Sequence, residues 1–533
     1  MKENWIINSY QDKDIEKSIL LGRGIVNYKK FLFPTLDKLS NPFLLADGEK
    51  AAKRIISAVE KKEKIFIFGH DDVDGVTSTV LLYKFLTKLG SGNHFYYIPN
   101  REYERYGIQK NFKDKVLKDE AKLVITVDIG INDIEAIDFF NKHSIDTIVL
   151  DHHIIFRKLP DAFAVVNPKR KDCPKDLPRH DNFPFNMLAG VGVVYNIVKI
   201  IEKLKGLSFD YLYPILAGIG TIADRMPLID DNRIFASANW RIENIEKSKN
   251  LFIGYFIELN RNLSKSQIFN KLIKLITAGR EKNGNHLGVE ILLANCLSEV
   301  KEKYNILQRR LEKNNKEVKA AIKFIDERFN NRDYKEIFIY YDKNNKIPIR
   351  FIGLTASYIA DKYRIPSLVL TTRDNNILSA ESRGPEEFDW IKSFNKIKGY
   401  LIQYGGHKRA AGFTCYASEF KNIERELEEI AKKNSTIPQN TEYLNHKIYI
   451  DYQLQKENFN LKFFRKIFNN FAPYGEKNSP PIFLINNVSQ MELERCNIEN
   501  IPDISDRKKL NILVSFNDSI QNPINIIDYE IVN

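Results

Sequence analysis

The sequence predicts an α/β protein: a mostly parallel sheet with helices on both faces, a long connecting helix, a second, smaller α/β domain, and a C-terminal β-rich domain. Three observations carry this. Apolar β-rich runs alternate with helical segments through the first third of the chain. The stretch from Val289 to Ile347 contains neither Pro nor Gly. From about Leu444 the apolar runs become short and strand-like. A chain of 533 residues exceeds one ordinary domain. The expected boundaries are 1–285 for the N-terminal α/β domain, 286–334 for the connecting helix, 335–436 for the second α/β domain and 444–533 for the β-rich domain.

In order along the chain, "KIFIFG" (Lys64–Gly69) reads as a buried strand and "VTSTVLLYKFLTKLG" as the helix after it. "HFYYIP", "LVITVD" (Leu123–Asp128), "DTIVLD" (Asp146–Asp151) and "AFAVVN" (Ala162–Asn167) are further strands, and "IEAIDFFNKH" has helical spacing. Two helices follow, "NMLAGVGVVYNIVKIIEKLKG" and "YLYPILAGIGTIAD". The charge-rich run from Ser298 to Phe329 is expected to form one amphipathic helix with a possible break near "EKNNKE". "EIFIYY" and "SLVLTT" are the next strands, around the helix "GLTASYIADKYR", and "NSTIPQNTE" is a linker. "HKIYIDYQL", "PPIFLINNV" and "KLNILVSF" are the strands of the last domain, a small barrel.

The bulk numbers exclude several classes. With 43% hydrophobic and 28% charged residues the chain is globular rather than disordered. No apolar run is long enough to cross a membrane, and the N-terminus lacks a signal peptide's apolar core. The four cysteines form no CxxC pair, which argues against a zinc ribbon or a disulfide framework and fits a reducing cytoplasm. A net charge of +12 suits a polyanionic partner, although a Lys- and Asn-rich composition produces the same balance.

Chemistry gathers at the strand ends. His70-Asp71-Asp72-Val73-Asp74-Gly75 follows the first strand, Asp128 ends the third, Asp151-His152-His153 follows the next, and "ILAGIGTIA" delivers Asp224. Each alone reads as a turn or a helix cap. Together, on one edge of a parallel sheet, the carboxylates would repel one another and raise each other's pKa, and two divalent cations would relieve this. Carboxylate with imidazole is a ligand set for Mn²⁺ or Mg²⁺. Two such ions can activate water and stabilise the leaving oxygen of a phosphoester.

"DDVDG", "VDIG", "DHH" and "GIGTIADRMPL", in this order, resemble the four motifs of the DHH phosphoesterase superfamily, and "YGGHKRAAGF" resembles the signature of its associated domain. "LLGRGI", "IPNREYERYGI", "LITAGREKNGNHLGVEILLA" and "FAPYGEKNSPPIF" are similar to elements of the RecJ family of single-strand-specific 5′→3′ exonucleases. The resemblance runs from about residue 15 to about 490.

The resemblance implies that Asp72, Asp74, Asp128, His152 and Asp224 hold two metals, with Asp128 bridging and His70 able to join them. It implies that Asp128, His152 and His153 form the catalytic group, with His153 on the scissile phosphate or a metal. Arg101 and Arg280 would bind phosphates, and Arg383 matches an arginine of a further element. Gly405 and Gly406 would let backbone approach the strand, and His407 would point toward the nucleotide. Asp151 is expected to orient a histidine. Isolated His180, His286 and His446 receive no role.

The chain departs from the family pattern in places. The first motif reads "GHDDVDG" where "GDYDADG" is usual, so His70 replaces an Asp and Asp71 an aromatic. Glu381 stands where a phosphate-binding Ser is expected, and Lys477 replaces a Gly.

By resemblance the implied activity is degradation of single-stranded DNA to 5′-mononucleotides in DNA repair and recombination. The enzyme would be a monomer in the cytoplasm, with an OB-like C-terminal domain, and a single-strand-binding protein and a RecQ-type helicase as partners. Two alternatives stand beside it. A phosphodiesterase of short oligonucleotides or cyclic dinucleotides would lack the extra β domain. A non-catalytic replication factor would have lost the metal ligands.

Overall fold

The structure is a computed structural model. It describes the chain apart from residues 1, 3, 101, 105–106, 157, 171–182, 209, 240–241, 331–335, 375, 386, 435–446, 497, 499–508, 517–523 and 533. The chain forms two compact units. The first comprises Met1–Asn100, Tyr106–Leu307 and Tyr443–Asn533, and the second Arg101–Arg105 and Gln308–Glu442.

The first unit opens with a short strand, β1 (Trp5–Ile7), and helices α1 (Ile15–Gly22), α2 (Tyr28–Leu32) and α3 (Gly48–Glu60). Then come β2 (Ile65–Gly69), α4 (Val73–Lys88), β3 (His94–Tyr97), α5 (Lys110–Lys118), β4 (Leu123–Val127), α6 (Ile134–Lys142), β5 (Asp146–Leu150) and β6 (Ala164–Val166). The strands lie in the order β3-β2-β4-β5-β6, all parallel. Every residue of β2 and β4 is buried, as continuous apolar runs in a sheet covered on both faces require. Gly69 pairs with Val127, Val127 with Leu150, and Leu150 with Val166. The next residues, His70, Asp128, Asp151 and Asn167, therefore leave the sheet along one edge.

Helices α7 (Gly190–Lys205) and α8 (Leu212–Ala223) pack against α4. The Pro of α8, Pro214, sits in its first turn, where its missing N–H costs nothing. Helix α9 (Asp230–Asn239) follows. The helix Leu297–Asn330 runs unbroken through all 34 residues. The break expected near "EKNNKE" is absent: this stretch is rich in Lys and Glu, which suit a helix, and Lys313 and Glu317 pair one turn apart at 3.9 Å.

The second unit is a mixed sheet of β7 (Phe338–Asp342), β8 (Ser367–Asp374), β9 (Ile377–Arg383), β10 (Leu401–Gly406) and β11 (Ala410–Tyr416), in the order β10-β11-β9-β8-β7. β7 and β8 are parallel, joined through the helix Ile352–Tyr363, and the other pairs are antiparallel. The expected linker "NSTIPQNTE" lies outside the described residues apart from its first.

The C-terminal segment is β-rich, as expected. β12 (Ile448–Ile450) pairs in parallel with β1, while β13 (Tyr452–Gln453), β14 (Phe483–Val488), β15 (Lys509–Phe516) and β16 (Ile524–Val532) form a sheet in that order. Among the described residues this is a four-stranded sheet rather than a closed barrel. Its core of Phe464, Phe471, Phe483 and Phe516 is shared with Ile19, Leu20 and Phe31 of α1 and α2. Arg233 of α9 is buried with its guanidinium 4.3 Å over the Phe31 ring. It donates to the carbonyls of Phe31, Asn470 and Pro473. The Leu228 amide, four residues past Asp224, donates to the Glu476 carbonyl at 2.8 Å. "FAPYGEKN" is thus packed beside the segment that follows α8.

Candidate metal centre

The edge of the parallel sheet and the starts of two helices assemble the site. Asp72 caps α4, its Oδ1 accepting from the Gly75 amide at 3.0 Å, and its Oδ2 lies 2.9 Å from His70 Nδ1. Asp74, in the first turn of α4, accepts from the first two amides of α7, Gly190 (2.7 Å) and Val191 (2.9 Å). Helix α7 has no side-chain cap, so this carboxylate satisfies its orphan donors. Asp128 turns off β4 in the left-handed region (φ 60°) and donates its amide to Leu150.

Close approach makes this packing possible. A Cβ on Gly190 would lie 2.7 Å from Asp128 Oδ1, and one on Gly220 the same distance from Asp74 Oδ1.

His152 gathers the carboxylates. Its Nε2 lies 3.1 Å from Asp128 Oδ1, 3.5 Å from Asp224 Oδ2 and 3.8 Å from Asp74 Oδ2. Asp128 Oδ2 faces His70 Nδ1 at 3.7 Å. Three groups have ligand atoms mutually within 4.8 Å: His70, Asp72 and Asp128; Asp74, His152 and Asp224; and Asp128, His152 and His153. Asp151 orients rather than joins them. Its Oδ1 accepts from the His153 ring (2.8 Å) and the amides of His152 and His153, and its Oδ2 accepts from the Ile131 amide.

Carboxylates packed this closely oppose one another's ionisation. Burial, then the Asp72 charge, push Asp74 up to about 7 against its two amide hydrogen bonds. Burial and the charges of Asp74, Asp72, Asp224 and Asp151 hold Asp128 well above the carboxylate range, and burial with Asp74 and Asp72 does the same to Asp224. Burial would raise Asp151 too, but the His153 charge and hydrogen bond, His152 and the Ile131 amide hold it below the usual range. Burial would lower His153, yet the same Asp151 carboxylate lifts it to about 9. The oxygens of Asp128, and Oδ2 of Asp224, are buried and find no protein donor in hydrogen-bonding geometry. Unsatisfied acceptors beside imidazoles fit divalent cations, which would supply the missing positive charge.

Of the other predicted residues, Arg101 lies outside the described residues. Arg280 donates its Nε to Asp71 Oδ2 at 2.7 Å, so the aromatic-to-Asp departure forms a buried ion pair. Arg383, Gly405, Gly406 and His407 belong to the second unit. Arg383 bonds Glu381 (3.1 Å) and the Ser382 carbonyl. Gly406 has φ 130°, and a Cβ there would meet the Ala410 carbonyl at 2.5 Å, so the β10–β11 hairpin itself requires the glycine. The His407 amide closes that hairpin onto the Ala410 carbonyl at 2.7 Å. His286, given no role, caps the helix Leu287–Leu293 through its Nδ1.

Sequence reasoning passed over Gly190 and Val191, Asn167 and Lys169. The first pair was legible as a run of small residues opening a helix, "AGVGVV", and the second as an Asn-Pro-Lys turn after a strand. Burial pushes Lys169 down, against the pull of Asp151, Asp224 and Asp128.

Residues 64–219 match the DHH family, N-terminal domain. Over 432 residues the chain is 30% identical to the single-stranded-DNA-specific exonuclease RecJ of Bacillus subtilis (strain 168), covering 79% of this chain. It spans about half (52%) of that relative's length. It is 28% identical over 483 residues to RecJ of Haemophilus influenzae, covering 85% of this chain and 80% of the relative. The crystal structure of RecJ in complex with Mn²⁺ from Thermus thermophilus has the same fold, with a TM-score of 0.78 at 20% identity over 99% of this chain and 80% of that one. No helix among the described residues is long and apolar enough to cross a membrane. A DHH-type sheet edge, the motif order and these likenesses agree: residues 64–219 carry a DHH N-terminal domain, and the chain as a whole is similar to RecJ proteins.

Proposed function

We propose that the protein is a metal-dependent exonuclease that degrades single-stranded DNA from the 5′ end to 5′-mononucleotides. The observation that carries this reading is the pair of three-residue groups, His70–Asp72–Asp128 and Asp74–His152–Asp224, around buried carboxylate oxygens that lack protein donors. On this reading each group would hold one divalent cation, Mn²⁺ or Mg²⁺, and Asp128, adjacent to both His70 and His152, would serve both. Two such ions supply Lewis acidity to a phosphoryl oxygen and lower the pKa of an attacking water. The Gly190 and Val191 amides fix Asp74, and Asp151 fixes the His153 ring. His153, its Nδ1 held by Asp151, would turn its other ring nitrogen toward a phosphoryl oxygen. Arg280, oriented by Asp71, binds a backbone phosphate, with Arg101, Arg383 and His407 serving the strand elsewhere. Gly405 and Gly406 would let backbone approach that strand. A single-strand-binding protein and a RecQ-type helicase are its partners on this reading, and it works as a monomer in the cytoplasm.

The test is degradation of a 5′-labelled single-stranded DNA with Mn²⁺, Mg²⁺ or EDTA, beside a duplex, an RNA and a dinucleotide, for wild type and Asp128→Ala. Metal-dependent release of mononucleotide from long single strands, lost in the variant, is the expected result. Cleavage of the dinucleotide alone would instead make it a short-oligonucleotide phosphodiesterase. DNA binding without cleavage under any metal would make it a binding factor.

A further inference from the structure

The chain leaves β6 through a turn, Asn167-Pro168-Lys169, that lies beside the DHH loop. Asn167 is buried; its Nδ2 donates to the His153 carbonyl at 3.0 Å, and its Oδ1 accepts the Lys169 amide at 2.8 Å. Lys169 Nζ donates to the His152 carbonyl. One turn thus holds two consecutive carbonyls of the loop carrying both imidazoles. The Lys169 cation also acts on Asp151, Asp224 and Asp128. The next residue, Arg170, is occupied elsewhere, against Asp47 at 2.8 Å and the Val165 carbonyl.

Charge accounting gives that lysine a purpose. Asp72, Asp74, Asp128 and Asp224 balance two divalent cations. His153 and Asp151 balance each other. Lys169 is left as the positive charge that matches one phosphodiester anion.

We propose that Lys169 is a positioning residue that also acts through its charge. It holds the His152 carbonyl, but its charge outweighs that hold: it weakens divalent-cation binding and leaves the loaded site net positive toward the DNA phosphate. The inference rests on the reading that the cluster holds divalent cations. A purely structural lysine and an electrostatic one predict opposite signs. Loss of scaffolding weakens metal binding. Loss of a nearby positive charge strengthens it while weakening the hold on phosphate.

The experiment compares wild type with Lys169→Met, Lys169→Gln and Lys169→Arg. Calorimetry measures Mn²⁺ binding to the metal-free protein, and steady-state cleavage of single-stranded DNA at saturating Mn²⁺ gives kcat and KM. Expected for Lys169→Met is Mn²⁺ binding tightened by about fivefold or more and a KM for DNA raised about tenfold. Lys169→Gln, which still offers a donor to the His152 carbonyl, shows the same two shifts if Lys169→Met does not fold. Lys169→Arg stays near wild type in both. Weaker Mn²⁺ binding in both uncharged variants, or unchanged KM in both, overturns the proposal. If wild type itself neither binds Mn²⁺ nor cleaves DNA, the metal-site reading falls, and the proposal with it. If wild type does both and the variants match it, the proposal alone falls.

Discussion

Binding a divalent cation to this site should release protons, and the number follows from the electrostatics. Asp74 is pushed up to about 7 by burial and by Asp72. At pH 6 such a carboxyl is about 0.9 protonated, and at pH 8 about 0.1. A ligand must be ionised to coordinate, so Mn²⁺ expels that proton. Asp128 and Asp224, also raised by burial and neighbouring carboxylates, add to the count. The assay is calorimetric Mn²⁺ titration in buffers of different ionisation enthalpy, whose slope counts protons. Release of about one proton or more at pH 6, falling toward pH 8, is expected. A slope of zero at pH 6 would refute the argument that these carboxyls are held protonated. Stability of the metal-free protein carries the same information. Folded Asp74 binds protons that the unfolded chain sheds above about pH 4, so stability falls as pH rises from there through about 7. The His153–Asp151 pair adds stability present from about pH 4 to about pH 6.5, lost as pH rises through about 9 and, through Asp151, as pH falls below about 4. In EDTA, Tm should therefore decline from pH 5 to pH 9.

Three substitutions test the packing. Asp128→Asn puts a neutral isostere in place of a carboxyl whose ionisation its neighbours oppose, at a left-handed position that Asn tolerates, so Tm in EDTA at pH 8 should not fall while metal-dependent cleavage falls at least about 100-fold. Gly190→Ala drives a Cβ to 2.7 Å from Asp128 Cβ, and Mn²⁺ affinity by calorimetry should drop about tenfold or more with circular dichroism unchanged. Asp71→Asn removes the buried half of an ion pair and leaves a partly exposed Arg280, so urea unfolding should lose about 1.5 kcal/mol, the low end for a charged hydrogen bond.

The parallel sheet was legible because strands buried on both faces are dominated by apolar residues, as β2 (IFIFG), β4 (LVITV) and the end of β5 (IVL) are. The cluster of carboxylates and imidazoles was legible because strand ends in such a sheet share an edge. Contacts made across long stretches of chain were not legible. Asp74 is held by Gly190 and Val191, more than a hundred residues on, and nothing local to "GVGVV" announces that its amides hold an acid. Asp71 read as a defect in a motif because its partner, Arg280, is 209 residues away. Lys169 looked like one more lysine in a basic chain. The N-terminal "WII" did not read as a strand, since three residues carry no periodicity and its pairing strand, Ile448–Ile450, lies at the far end of the sequence.

That last pairing has a consequence for biosynthesis. Trp5 bonds Asp528 across 523 residues, and Ile19, Leu20 and Phe31 share the core formed by residues 454–524. At about 5–20 residues per second, the ribosome delivers those partners roughly 25–100 s after the arm emerges. Throughout that interval the arm's apolar side chains stand without a core. The arm is therefore made well before it can be finished, a natural client for a holding chaperone, and any lesion that removes β14–β16 leaves the same surface bare for good.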